Sequence, residues 1–197
     1  MNTYCGTGLA NPRNPRGLTL AWDHNVYAER ETMSNPRILN LDDLEYTKQT
    51  HGENFEAEFA PVANRLNATK LGYRVTRVPP GKRAWPLHAH YVNEEMFFVL
   101  DGNGTVRIGD DSFPIKQGDF IAAPPSPEEP HQIINTSKQE LTYICVSTML
   151  EPEVAIYPDS EKIGIVAGTP PGRVSEEGGL FKFIHKDSGM GYWDGEE

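Results

Sequence analysis

The sequence predicts an all-β fold, an antiparallel sandwich or barrel, and three observations carry that prediction. First, 18 Gly and 16 Pro among 197 residues exceed average usage by roughly five percentage points, which disfavours a helix bundle or coiled coil. Second, short alternating runs fill residues 71–148, each stopped by a Gly, Pro, Asn or Asp turn. Third, nothing repeats at a fixed period, so solenoids and propellers are set aside.

The runs follow one another closely. LGYRVTRV (71–78) alternates and ends at Pro79-Pro80-Gly81. LHAHYV follows Pro86, and EEMFFVL ends at Asp101-Gly102-Asn103-Gly104, a hairpin signal. TVRIG and DSFPI flank Gly109-Asp110-Asp111, a second hairpin. GDFIAA runs into Pro124-Pro125-Ser126-Pro127; HQIIN and, after a polar turn, LTYICVST complete the set. Seven or eight short strands with such close turns make an antiparallel double-sheet barrel.

Outside this block the patterning weakens. Residues 1–35 read as an N-terminal arm with scattered prolines, in which Leu18, Leu20 and Trp22 alternate briefly. Residues 36–70 suggest short strands and turns, with one helical turn near Asp42–Glu45. The barrel is expected over 36–160. Residues 161–197 form a C-terminal arm whose Phe181, Phe183, Tyr192 and Trp193 are too many for a disordered tail, so it should pack on the barrel or on a partner subunit.

Composition excludes several function classes. With 18 basic and 28 acidic residues the net charge is −10, which repels nucleic acid and anionic membranes on average. The densest apolar run, Met96–Leu100, falls far short of the ~18 residues that span a bilayer. The N-terminus lacks the apolar core of a secretory signal, and two cysteines, Cys5 and Cys145, make no disulfide framework. A reduced, cytoplasmic protein is the expectation.

The histidines carry the chemistry. His88 and His90 are two apart on a predicted strand, so both rings face one side, and Glu95 opens the next strand after a short turn. Two neutral imidazoles and a carboxylate suit a divalent transition metal. His131, at the start of a later strand, can close the set from across a barrel. His24, His51 and His185 lie in unpatterned segments and read as surface residues.

Two blocks hold these residues: Gly81, His88-x-His90, Glu95 and Gly102 in the first (81–102), and Gly118, Pro124, His131 and Asn135 in the second (118–135). Together they resemble the paired signature motifs of the cupin superfamily. The first block has one residue more than usual between Gly81 and His88; in the second, Ser126 stands where a Gly is usual and the run to His131 is two residues longer. Strict spacing places Glu129 in the last ligand slot; the His131-x-x-x-Asn135 register favours His131. The resemblance implies a jelly-roll-like barrel with one divalent metal (Fe, Mn, Zn or Ni) on His88, His90, Glu95 and His131.

Alternation then sorts the neighbours. With Glu95 inward, Phe97 and Val99 face in, and Met96, Phe98 and Leu100 face out. An outward apolar row asks for cover from the N-terminal strand, the C-terminal arm or a second subunit, which is the argument for a homodimer. Ile133 and Asn135 share the inward face of His131, and Glu94 falls on the solvated one. The inward parity of 141–148 stays open. Arg74 and Arg77 lie on opposite faces of their strand; one inside would suit a carboxylate or phosphate, although burial statistics favour the surface for both. Cys145 reads as a buried, inert core residue.

Three functions fit the resemblance: a metal-dependent enzyme on a small molecule, leaning to an Fe(II)-type oxygenase; a sugar or sugar-phosphate isomerase or epimerase; and a non-catalytic small-molecule-binding module. Isomerisation needs a proton-shuttling group, for which Glu129, Tyr143 and Tyr73 are the candidates. A two-barrel storage role is disfavoured, because that role usually goes with lost metal ligands.

Overall fold

The structure, a computed structural model, describes residues 37–168 and 179–196. The chain divides into two compact units, residues 1–38 and 39–197, and all the described strands lie in the second. The arm expected over 1–35, with His24 and the brief alternation at 18–22, lies outside the described residues, as does the connector at 169–178.

A 3₁₀ turn at Leu41–Asp43, capped by the Asn40 side chain accepting from the Asp42 amide at 3.0 Å, stands where a helical turn was expected. Strands β1 (Thr47–His51) and β2 (Phe55–Ala60) follow, then a single turn of helix, α1 (Val62–Arg65). The motif region holds β3 (Leu71–Val78), β4 (Ala89–His90), β5 (Glu95–Asp101), β6 (Asn103–Ile108), β7 (Asp111–Lys116), β8 (Phe120–Ala123), β9 (His131–Ile134) and β10 (Leu141–Thr148). Beyond it lie β11 (Glu153–Tyr157), β12 (Lys162–Ala167) and β13 (Leu180–His185).

The strands form three arrays, ordered β1-β2-β3-β10-β5-β8, β13-β12-β11-β4 and β7-β6-β9, with every strand pair antiparallel. This is the jelly-roll-like all-β fold. Two isolated bridges, Arg83 to Ile134 and His88 to His131, tie the 83–88 segment onto β9. Most of the run 87–92 is therefore not regular strand: only Ala89 and His90 pair, with Ile156 and Ala155 of β11.

The inner face holds the core. Val78, Val99 and Leu141 are fully buried and Tyr143 nearly so. On β5, burial alternates as expected: Glu95, Phe97 and Val99 are buried, while Met96, Phe98 and Leu100 are only partly covered. Phe98 meets the exposed Phe120 ring at 4.4 Å on that outer side. The parity left open on β10 resolves to Leu141, Tyr143 and Cys145 inward. Their register partners on β3 are Val78, Thr76 and Arg74.

The motif glycines sit where the chain turns: Gly81, Gly102 and Gly118 have φ of 75°, 82° and 91°. At Gly102 the backbone of Glu140 comes so close that a Cβ would overlap its carbonyl oxygen. Only glycine satisfies both demands there. Asn135 anchors the second block. Its amide donates to the carbonyls of Val78 and Gln139, both at 2.7 Å, and its oxygen accepts from the Ser137 amide and hydroxyl. All four of its hydrogen-bonding capacities are used.

Candidate metal centre

Three pieces of backbone bring the donors together. Backbone bonds between His88 and His131 in both directions, at 3.2 and 2.8 Å, place their rings 4.6 Å apart. His90 follows on β4 with its ring 5.0 Å from that of His88, and Glu95 opens β5. Their donor atoms all lie within 4.8 Å of one another. The Glu95 Oε2 atom is the hub: 3.0 Å from His131 Nε2, 3.6 Å from His90 Nε2 and 3.7 Å from His88 Nε2.

Each ring is oriented from behind. His88 Nδ1 lies 2.9 Å from the Pro86 carbonyl. A carbonyl only accepts, so Nδ1 carries the proton and the Nε2 lone pair is free for a cation. His90 turns Nδ1 toward Glu153 Oε2 at 3.5 Å. Glu153 is itself fixed: it accepts from the amides of Tyr91, Val92 and Asn93 and from the Asn93 side chain. Asn93 in turn accepts from the Leu150 amide and the Thr148 hydroxyl. Tyr157 stacks on the His88 ring at 5.9 Å.

Electrostatics follow this arrangement. Burial works against the Glu95 charge, yet the hydrogen bond with His131 and the nearby His88 and His90 rings outweigh it and hold its carboxyl well below the usual range. Burial also opposes a charged His90, but the carboxylates of Glu153 and Glu95 prevail and raise it to about 9. Burial lowers His131. Glu153, despite its own burial, is lowered by His90 and Asn93.

The donor set fits a metal. With Nδ1 turned to Glu153, the His90 Nε2 atom is buried without a hydrogen-bond partner, a costly state unless something occupies the space between the rings. Three imidazoles and one carboxylate around one point suit Fe, Mn, Zn or Ni. Glu153 behind His90 supplies the outer carboxylate that metal-ligating histidines commonly have.

A narrow cavity opens beside Glu95, lined by His88, His131, Phe97, Tyr143, Cys145 and Trp85, with Arg74, Gln132 and Ile133 completing it. Its free space is about 20 Å³, near that of one water molecule. The Cys145 thiol is buried and donates to Glu95 Oε1 at 3.8 Å, and burial pushes it up to about 12. It is a core thiol at the edge of the site.

The structure brings His88, His90, Glu95 and His131 together and separates the proton-shuttle candidates. Tyr143 lines the cavity, its phenol pushed up by burial. Glu129 is exposed on the turn before β9, its amide bonded to the Ser126 carbonyl. Tyr73 pairs with Val146 on the face of β3 opposite Arg74. His51, His185 and Glu94 are exposed.

The surface expectation for both arginines needs correcting at Arg74. Its register partner Cys145 faces in, so it does too, and its Nε is buried. Arg77 stays on the outer side against Tyr46 and Glu140. Glu153, Asn93 and Trp85 escaped sequence reasoning. The one available signal was Glu153 in the alternating run EVAIY, where a charged residue shares a face with Ala155 and Tyr157.

Comparison with known proteins agrees with this architecture. Residues 74–147 match the family described as Cupin domain. The uncharacterized protein MJ1618 of Methanocaldococcus jannaschii is 37% identical over 70 residues, covering 36% of this chain and 54% of that protein. The chain thus spans about half the length of the curated relative it matches. Two solved structures share the fold. A sugar phosphate isomerase of the cupin superfamily from Silicibacter pomeroyi has a TM-score of 0.65 at 20% identity, covering 80% of this chain and 98% of that one. A protein of Acidithiobacillus ferrooxidans, provisionally named for the same activity, reaches 0.66 at 21%, covering 79% and 96%. At such identities the likeness concerns the fold alone. Among the described residues no helix is long and apolar enough to cross a membrane. The match over β3 to β10 makes residues 74–147 similar to a cupin domain, and the fold of the chain is shared with the two cupin-like structures.

Proposed function

We propose that the chain is a metal-dependent enzyme acting on a small molecule, of the Fe(II)-type oxygenase class. The observation that carries this reading is the lining of the cavity. Beyond His88, Glu95 and His131, the described residues there offer no group able to shuttle a proton near neutral pH. Tyr143 and Cys145 are both held protonated by burial, and Arg74 is a permanent cation. Isomerisation or epimerisation would need such a base within hydrogen-bond reach of the substrate.

A divalent ion on His88, His90, Glu95 and His131 would supply Lewis acidity and, if iron, the one-electron chemistry that O₂ requires. The chain's own contribution is positional. Pro86 and Glu153 hold two rings so that their donors converge. Phe97, Ile133 and Trp85 wall the cavity and limit water. Tyr143, kept neutral, can donate a hydrogen bond to a substrate oxygen without giving up its proton.

The isomerase reading draws on the names of the two similar structures, but at 20 and 21% identity they share a fold with this chain. Metal analysis of protein purified without chelators, with an oxygen electrode and a panel of small organic acids, tests the choice. The proposal expects about one iron per chain and O₂ uptake that depends on one of the acids. Zn or Mn with isomerase turnover and no O₂ uptake would contradict it.

A further inference from the structure

Arg74 lines the cavity beside Glu95. Its guanidinium carbon lies 4.6 Å from the centre of the Trp85 ring and 5.7 Å from that of Phe59. Those two rings stack on each other at 4.7 Å. The aromatic pair therefore supports the guanidinium from one side through cation–π contact. On β3 it sits opposite Cys145, so its side chain enters the same cavity that Glu95, His88 and His131 border.

Among the described residues the charge meets no anion. Arg74 Nε is buried with no hydrogen-bond partner, and among the described residues no carboxylate comes within ion-pair distance of Arg74. Arginine cannot escape by losing its proton. A partly buried, unpaired guanidinium facing a cavity is costly unless an anion arrives to meet it. Its planar fork of donors matches a carboxylate, which it can hold through two parallel hydrogen bonds.

We infer that Arg74, backed by Trp85 and Phe59, is an anchor for the carboxylate of a small organic acid bound beside the metal centre. One observation favours carboxylate over phosphate. Apart from the donor histidines, Arg74 is the one basic side chain among the described residues that line the cavity, whereas phosphate sites commonly recruit several donors, backbone amides included. The charge balance agrees: three neutral histidines, one carboxylate and a divalent ion carry +1, and Arg74 makes it +2, so an anionic ligand lowers the field. Gln132 fits the same picture. Its amide nitrogen is fixed on the Trp85 carbonyl at 2.8 Å, and its buried oxygen stays free to accept from a ligand hydroxyl.

The inference rests on the proposed function only in placing the acid beside a metal, and its test separates the two. Acetate, lactate and inorganic phosphate are titrated into wild type, R74Q and R74K. Calorimetry is run on metal-free and Co(II)-loaded protein, with the visible Co(II) spectrum recorded in parallel. Acetate or lactate should bind wild type, R74Q should weaken that binding at least tenfold, and R74K should fall between. Co(II) stoichiometry and far-UV circular dichroism should not change across the three. Equal carboxylate affinity in wild type and R74Q, no carboxylate binding to wild type, or Arg74-dependent binding of phosphate alone would each overturn the assignment. If Co(II) is not taken up, the metal reading fails, and the metal-free titrations still decide the role of Arg74.

Discussion

The metal end of the barrel and the C-terminal strand β13 make opposite use of the same antiparallel pairing. At the metal end, Glu95, His131 and Glu153 are all buried polar groups, and each is held by side chains or amides distant in the sequence. Along β13 all six residues are exposed, Phe181 and Phe183 among them, and the strand is joined to β12 by backbone register. The difference teaches where sensitivity should lie. Position at the metal end is set by side-chain chemistry, so single substitutions should be felt strongly; on β13 they should barely register.

The sharpest contrast comes from the hub. Glu95→Ala should weaken binding of a divalent metal by more than about a hundredfold, since outer partners alone are worth ~10–100-fold; equilibrium dialysis against Zn(II) or Co(II) reads it. Asn135→Ala comes next. It removes four hydrogen bonds and leaves the Gln139 carbonyl with only the Ser137 hydroxyl, so chemical denaturation should show a loss of about 2–4 kcal/mol. A loss under about 1 kcal/mol would mean that the 135–139 turn is not what fixes β9.

Glu153→Gln probes the support of His90 at smaller scale. It should reduce metal affinity roughly 10–100-fold while leaving the fold intact. Unchanged affinity would put the carboxylate outside the site.

A pH series sharpens the same point. His90 in the metal-free protein is raised from 6.5 to about 9. Its stabilising contribution is therefore fully present below about 6.5 and is lost as pH rises through about 9. Metal must displace that proton, so apparent affinity should climb by about tenfold per pH unit from 7 towards 9. A flat profile would remove His90 from the donor set.

The smallest effect belongs to β13. Phe181 is 51% exposed, so Phe181→Ser should cost about 0.5 kcal/mol or less. A larger loss, or one that varies with protein concentration, would break the comparison and favour a second copy covering the strand.

Much of this arrangement was legible in the sequence because it is local. The two-residue period puts His88 and His90 on one side, and the Gly102 hairpin fixes where the strand begun by Glu95 must end. His131 depended on the Asn135 register, and the structure puts His131 among the donors while Glu129 stays in solvent. What escaped comes from distant pairings. Glu153 reaches Asn93 across 60 residues, and nothing in its neighbourhood points there. Arg74 faces inward because Cys145 does, and that parity belongs to a strand pair whose register alternation alone does not set. Trp85 acts from a segment with almost no regular strand, where periodicity has nothing to report.

The central claim is that His88, His90, Glu95 and His131 form one metal centre. Metal content of wild type and His131→Ala, each purified without chelators and checked by far-UV circular dichroism, tests it most directly. The account predicts about one divalent ion per wild-type chain and a loss of that ion in the variant, with the β-rich spectrum retained. A metal-free wild type, or a folded His131→Ala that keeps its ion, would contradict it.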